Sequence, residues 1–140
     1  MGARRTARER ALQALYQLEM TQGAPKAALD AAWEAAEEPG KPDPEAKRFA
    51  QALVEGVWQN LAELDALIQE HSHNWRVDRM SRIDRNVLRI AVYELKHRAD
   101  IPRKVSINEA VELGKRFGTE ESSAFINGLL DRVAVAIGKP

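Results

Sequence analysis

Residues 81–131 read SRIDRNVLRIAVYELKHRADIPRKVSINEAVELGKRFGTEESSAFINGLLD, and this stretch decides the fold. Ser81 is a residue type that caps helices, and the apolar positions after it recur at helical spacing. They are Ile83, Val87, Ile90, Ala91 and Leu95. A helix cannot run through Ile101-Pro102, because the residue before a proline is driven out of the helical region. The pattern therefore predicts an amphipathic helix, a turn and a new helix.

Two more helices are predicted in the same stretch. Ser106 and Glu109 have the spacing of a capping box, which predicts a helix that starts at Ser106. Gly118 is expected to stop that helix in a left-handed conformation, and Thr119 to cap the next one. The apolar stripe of the last helix is Ile126, Leu130, Val133 and Ile137.

Several segments of the chain together resemble a known family. They are IDRNVLRIAVYEL (83–95), INEAVELGKRFG (107–118), FINGLLD (125–131) and the N-terminal ARRTARERALQALYQLE (3–19). Their order and sequence are similar to the NusB family of bacterial transcription antitermination factors. The resemblance implies an all-helical protein that binds boxA, a short single-stranded RNA element of rRNA operons, together with ribosomal protein NusE. It also implies that the protein acts on the RNA polymerase elongation complex together with other Nus factors, and that it needs no cofactor.

Composition places the chain among ordinary globular domains. Its 140 residues are 44% hydrophobic, which is enough for one domain with its own core. The absence of cysteine excludes disulfides and thiolate metal sites within this sequence. No apolar run approaches the roughly 20 residues that cross a bilayer, and the arginine-rich start lacks the apolar core of a signal peptide. We therefore expect a cytoplasmic protein with no membrane contact.

Charge is unevenly distributed along the neutral chain. The net charge is +3 for residues 1–18, −7 for residues 19–70 and +4 for residues 71–140. Phosphate binding responds to a local field, so a neutral total does not exclude nucleic acid if the two basic ends meet in space. The alternative is an ordinary solvated surface.

The first half of the chain also reads as helical, and the buried stripe of its first helix is predicted to be Ala7, Ala11, Leu15 and Leu18. We predict helices over about 3–21, 26–37 and 44–68, a short one over 77–80, and a mobile loop over 38–44, where glycine and prolines interrupt the pattern. With the three helices of the C-terminal stretch, this gives about seven helices and no strand. We expect residues 1–140 to form a compact single-domain orthogonal bundle.

The first candidate site is an arginine cluster at the start of the first helix. At about 100° per residue, Arg4, Arg5 and Arg8 project beside the apolar stripe, and Tyr16 lies nearly in line with Arg5. Arginine can bridge phosphates or stack on a base, and tyrosine offers a ring face, so this pattern suits RNA. The alternative is a solvated helix start, although arginines there oppose the helix dipole.

The second candidate site surrounds the turn before the last helix. It comprises Lys115, Arg116, Phe117, Phe125 and Asn127. Aromatic faces beside cationic groups are typical of proteins that bind single strands. Periodicity alone favours both phenylalanines as core residues, whereas the family resemblance implies that they lie at the RNA face. We expect at least one of them to stack on RNA.

A third pattern is an arginine series at positions 76, 79, 82, 85 and 89. The spacing predicts a basic helix edge formed by Arg82, Arg85 and Arg89, although most such edges are only solvated surface. The resemblance implies that this helix docks NusE through an acidic residue, here Asp84, which is shorter than the glutamate also found there. Arg82 and Arg85 are expected to assist at this partner face.

The sequence holds no catalytic pattern. His71 and His73 have an H-x-H spacing without accompanying metal ligands, and no phosphate-binding glycine loop or nucleophile elbow is present. The same fold also serves as an accessory RNA-binding domain of certain rRNA cytosine methyltransferases, but we expect no cofactor domain beyond Pro140 and hence no enzyme activity. The other hypothesis is a helical protein–protein interaction module, or a homodimer, whose basic patch is incidental.

Overall fold

The structure, a computed structural model, describes residues 2–36 and 41–140. This part of the chain is all-α, with seven α-helices, one short 3-10 turn and no strand, as predicted. The helices are α1 (Ala3–Thr21), α2 (Pro25–Ala35), α3 (Pro44–Gln59), α4 (Leu61–His71), α5 (Arg82–His97), α6 (Arg103–Phe117) and α7 (Ser122–Ala136), with the 3-10 turn at Val77–Arg79. They form two compact units, Met1–Gln59 and Asn60–Pro140. The expected single domain over residues 1–140 stays a prediction.

The first unit is built around α1. Its predicted stripe of Ala7, Ala11, Leu15 and Leu18 is fully buried, and α2 and α3 pack against it. The helix ends at Gln22, which adopts a left-handed conformation and bonds back to the Leu18 carbonyl. Residues 38–40 of the predicted mobile loop, and Glu37 at the predicted end of the second helix, lie outside the described residues. Lys41, Pro42 and Asp43 have no regular structure before α3 begins at Pro44.

One predicted helix is two helices in the structure. The prediction of a continuous helix over 44–68 is wrong, because α3 ends at Gln59 and α4 begins at Leu61. Asn60 between them leaves the helical region, with φ −117° and ψ 22°, and its carbonyl accepts the Leu64 N–H at 2.9 Å. The apolar spacing continues through this position, so periodicity gives no sign of the break. Asparagine is a weak helix former that readily adopts such a conformation.

The second unit is centred on α5, which packs against α4, α6 and α7. Ser81 caps α5 as predicted, since its hydroxyl accepts the Asp84 N–H at 3.1 Å. Arg89 is buried and forms a two-pronged ion pair with Asp65 of α4, with both N···O distances 2.7 Å. Because Arg89 is buried and paired with Asp65, it is not part of an exposed basic edge. The prediction of such an edge is therefore wrong for Arg89.

The start of α6 differs from the prediction. The helix begins at Arg103 rather than Ser106, and the Pro102 carbonyl accepts the first helical N–H groups. Ser106 is buried inside the helix, where its hydroxyl donates to Glu94 of α5 at 2.8 Å. The predicted capping box is thus wrong, because a tertiary hydrogen bond uses the serine hydroxyl instead of the helix start.

The corner between α6 and α7 also corrects two predictions. Gly118 ends α6 but is not left-handed, since its φ is −97°. A side chain there would meet the Ser122 hydroxyl and come within 2.8 Å of the Gly114 carbonyl, so close approach explains the glycine. Thr119 does not cap α7. Instead the hydroxyl of Ser122, the first residue of α7, accepts the Thr119 N–H at 2.9 Å.

Candidate nucleic-acid and partner interface

The arginines at the start of α1 gather around one buried ring. The guanidinium carbon of Arg4 lies 4.5 Å from the centre of the Phe49 ring in α3, and that of Arg8 lies 5.2 Å from it. Such cation–π contacts fix the direction of a long side chain that would otherwise sample many rotamers. Phe49 therefore positions two positive charges at this end of the first unit.

Burial divides the predicted α1 cluster. Arg8 is only 3% exposed, so the expectation that it lies outside the buried stripe is wrong. Arg4 is half-buried, while Arg5 and Tyr16 are exposed. Since the spacing of Arg5 and Tyr16 places them in line on α1, they form the accessible part of the cluster. Arg8 is not accessible to a ligand, and its guanidinium contacts the Phe49 ring.

The C-terminal end of α6 presents the second group. Lys115, Arg116 and Phe117 are all exposed, and the guanidinium of Arg116 lies 5.3 Å from the Phe117 ring centre. Phe117 is 37% exposed, which is high for a large aromatic side chain and argues against a purely core role. A cation resting on an open ring face is an arrangement that also accepts a nucleotide base. Asn127 on α7 is likewise exposed.

Phe125 and Asp84 line one pocket of about 230 Å³ in the second unit. The sequence predicts different roles for them, RNA binding for Phe125 and a partner contact for Asp84. The other lining residues are Trp75, Arg79, Met80, Ser81 and Glu121. One carboxylate oxygen of Asp84 is buried and has no hydrogen-bond partner among the described residues. The pocket thus combines aromatic walls with carboxylates and one arginine.

Sequence reasoning missed Trp75, which is 59% exposed at this pocket. Its backbone carbonyl accepts hydrogen bonds from the Ser72 hydroxyl at 2.7 Å and the Gln69 side-chain amide at 3.1 Å. The carbonyl of the same Gln69 amide accepts the Val77 N–H at 2.8 Å. The only sign of Trp75 in the sequence is that a large apolar residue stands in a polar loop. Because Trp75 belongs to no periodic pattern, the helical spacing analysis does not detect it.

The arginines expected at the partner face have different surroundings. Arg82 is exposed on α5. Arg85 is half-buried, and its guanidinium donates to the carbonyls of Val77 and Met80 at 3.2 and 3.1 Å. Arg85 therefore ties the 3-10 turn to α5, which leaves Arg82 and Asp84 as the better placed candidates for a partner contact.

A separate charged cluster joins α4 to α5. Glu63 lies 3.2 Å from the Lys96 ammonium and 2.9 Å from the His97 ring nitrogen Nε2. Hydrogen bonds from Lys96 and then His97 hold the pKa of Glu63 below its ordinary value of 4.5. The cluster is a surface link between two helices, and its contribution to stability depends on pH.

Across residues 2–36 and 41–140, no three histidine, aspartate or glutamate side chains are grouped so that they could hold a metal ion. No helix in that part of the chain has the length and apolar character needed to cross a bilayer.

Comparison with known proteins settles the family. A model described as the NusB family matches residues 5–135. The chain belongs to the NusB family. The transcription antitermination protein NusB of Myxococcus xanthus (strain DK1622) is 71% identical over 140 residues, which cover 100% of both chains. The membership confirms that the chain is not an enzyme.

Two solved structures share the fold. NusB of T. maritima is 40% identical, with a TM-score of 0.84 over 94% of this chain and 90% of that one. The other structure contains the antitermination factors NusB and NusE in complex with dsRNA. The matching chain there is 26% identical, with a TM-score of 0.84 over 96% of this chain and 97% of that one. These matches confirm the predicted fold class.

Proposed function

We propose that this protein is a cytoplasmic transcription antitermination adaptor. It binds boxA-type single-stranded RNA of rRNA operons together with ribosomal protein NusE. Through NusE, RNA polymerase and other Nus factors, it keeps the elongation complex resistant to terminators. The observation that carries the proposal is the family membership over residues 5–135, supported by a related NusB chain that was crystallised with NusE and dsRNA.

One group of proposed RNA contacts lies at the start of α1. In the first unit, Arg5 and Tyr16 are exposed for direct contact, with Arg4 beside them. Arg8 contacts the same Phe49 ring as Arg4 and adds a buried positive charge to this group. Arginine suits this task because its planar fork can bridge phosphate oxygens or stack on a base.

In the second unit, the proposed RNA contacts lie around the α6–α7 corner. Lys115 and Arg116 supply positive charge, the exposed Phe117 and the half-buried Phe125 supply stacking surfaces, and the exposed Asn127 follows Phe125 by two residues. Base stacking on an aromatic side chain is worth about 1–3 kcal/mol, and it requires a ring that solvent can reach. The exposure of Phe117 supports its assignment, whereas Phe125 is half-buried and its assignment is supported by its place in the lining of a pocket.

The proposed NusE contact lies at the start of α5. Asp84 and the exposed Arg82 stand in its first turn, while Arg85 holds that turn to the preceding loop. A buried carboxylate oxygen that lacks a donor gains stability when a partner supplies one. This feature supports Asp84 as a contact residue.

The deciding experiment is a titration of fluorescently labelled boxA-type RNA with the full chain, with and without NusE. We expect NusE to tighten RNA binding, and RNA to tighten NusE binding by the same factor, because linked equilibria are reciprocal. An unlabelled duplex of the same sequence serves as competitor, since the related structure contains dsRNA. Equal competition by duplex and single strand would refute the preference for single strands.

The rival hypothesis is a helical interaction module or homodimer with an incidental basic patch. It predicts that NusE binding, or self-association measured by sedimentation, occurs without any change in RNA affinity. Absence of RNA binding in both titrations would favour that hypothesis and reject the adaptor.

A further inference from the structure

The pocket lined by Trp75 and Phe125 has properties beyond those of a docking surface. Its volume of about 230 Å³ is smaller than that of typical drug-sized ligand pockets, which begin near 300 Å³, and suits a single flat ring system. All of its lining residues belong to the second unit, so the pocket is complete within that unit.

The loop that carries Trp75 is held in place despite having no regular structure. Ser72 and Gln69 fix the Trp75 carbonyl, and Arg85 fixes the backbone at Val77 and Met80. An indole that is 59% exposed would reduce unfavourable contact with water by turning inward. A fixed backbone with an outward indole is instead the arrangement of a preorganised stacking surface.

We propose that this pocket takes one unstacked base of the bound RNA, packed against the Trp75 and Phe125 rings and selected for an exocyclic amino group by Glu121. The proposal rests on the RNA-binding function argued above. It adds a specificity-determining residue, Trp75, and assigns a chemical preference to one RNA position.

The charges of the pocket favour a neutral base with amino donors. Carboxylates accept hydrogen bonds from groups such as the amino group of cytosine, whereas uracil presents carbonyl oxygens in the corresponding places. Glu121 is exposed at the pocket, and Asp84 adds a second negative charge. Adenine, cytosine or guanine should therefore bind here better than uracil.

Arg79, which also lines the pocket, favours an RNA base over a basic protein side chain. A lysine or arginine side chain from a partner would be attracted by the carboxylates but would meet the like charge of Arg79. A nucleotide suits both kinds of charge, since its base edge donates to carboxylates while its phosphate accepts from arginine. The mixture of charges therefore favours the nucleotide.

The test is a set of boxA-type RNAs in which each nucleotide in turn is replaced by an abasic ribose. For the wild-type chain, the abasic replacement at one position should weaken binding roughly 5- to 150-fold, which is the range expected for loss of one stacked base. At that position Trp75→Ala should reduce the difference in affinity between the abasic and intact RNAs, because only Phe125 is left to stack, and Trp75→Phe should restore most of it. Val135→Ala, which shortens another exposed apolar side chain, should leave the abasic profile unchanged.

Two further readouts bear on the same pocket. RNA should quench the fluorescence of Trp75, a signal that Trp75→Phe removes while Trp33 and Trp58 remain. At the identified position, uracil should bind more weakly than the amino-bearing bases. Glu121→Gln should reduce that discrimination, because the glutamine amide can donate to a uracil carbonyl.

The outcomes separate this proposal from the function on which it rests. Failure of the wild-type chain to bind any boxA-type RNA rejects the adaptor function itself. Normal RNA binding with an unchanged abasic profile in Trp75→Ala, and no Trp75 quenching, overturns only the base pocket. If Trp75→Ala weakens NusE binding and leaves RNA binding intact, the pocket receives a protein side chain and the proposal is wrong.

Discussion

Arg5 and Arg8 allow a matched test of what burial does to two equal charges on one helix. Arg5 is exposed, whereas Arg8 is 3% exposed and lies 5.2 Å from the Phe49 ring centre. Replacing either arginine by alanine removes one positive charge from α1. We expect Arg5→Ala to change RNA binding with little effect on stability, and Arg8→Ala to lower the stability of the fold.

The magnitudes follow from the surroundings of each side chain. A desolvated cation–π contact contributes about 2 kcal/mol, and the buried stem of Arg8 adds packing, so Arg8→Ala should cost about 2 kcal/mol or more. For a chain of this length, that corresponds to a fall in melting temperature of roughly 8 °C. An exposed substitution such as Arg5→Ala should stay within about 0.5 kcal/mol of the wild type.

The assay pairs a thermal melt with RNA titrations at several salt concentrations. Loss of one phosphate contact should flatten the slope of log affinity against log salt by about 0.7 for a single strand. Arg5→Ala should show this change. The reasoning is refuted if Arg8→Ala melts with the wild type, or if Arg5→Ala keeps the wild-type salt slope while its fold is intact.

Three other changes probe the remaining elements. Phe117→Ala should weaken RNA binding by about 1–3 kcal/mol in a titration with little change in melting temperature, because its ring is partly exposed. A large fall in melting temperature with unchanged RNA affinity would show that Phe117 is a core residue. Asp84→Arg should abolish the gain in RNA affinity that NusE produces. If this variant binds NusE with native affinity, Asp84 is not a contact residue for NusE. Because the folded state lowers the pKa of Glu63 below 4.5, its stabilising contribution is complete above that pH and is lost as the pH falls through the folded value. Glu63→Gln should therefore melt lower than the wild type at neutral pH. The difference should close as the pH falls through the lowered pKa of Glu63, and a constant difference would contradict the linkage.

Sequence patterns predicted the helices well where burial sets the local structure. The α1 stripe and the Ser81 cap are confirmed, because periodic burial and a local hydrogen bond both depend on residues that are close in the sequence. The break at Asn60 was not predictable from spacing, since the apolar positions continue through it. The Ser106 cap failed for a different reason, because its hydroxyl bonds to Glu94, twelve residues away on another helix.

The candidate site was only partly accessible to the same reasoning. Helical spacing identified Arg5 and Tyr16 on one face, but it could not show that Arg8 is covered by Phe49, a residue on another helix. It also could not show that Phe125, Asp84 and Trp75 line one pocket, since distant segments of the chain meet there. Tertiary contacts of this kind leave no periodic trace in one sequence.

The amide of Gln69 has a consequence for how this protein can vary over evolution. Its nitrogen donates to the carbonyl of Trp75 and its oxygen accepts from the N–H of Val77, so the side chain serves as a short piece of backbone. A glutamate there could accept but not donate, and asparagine is one methylene too short to span the same gap. His73 and Asn74 within the loop are exposed, so we expect them to tolerate substitution, whereas we expect position 69 to be constrained although it contacts no proposed ligand. An invariant glutamine beside a variable loop would be the signature of that constraint.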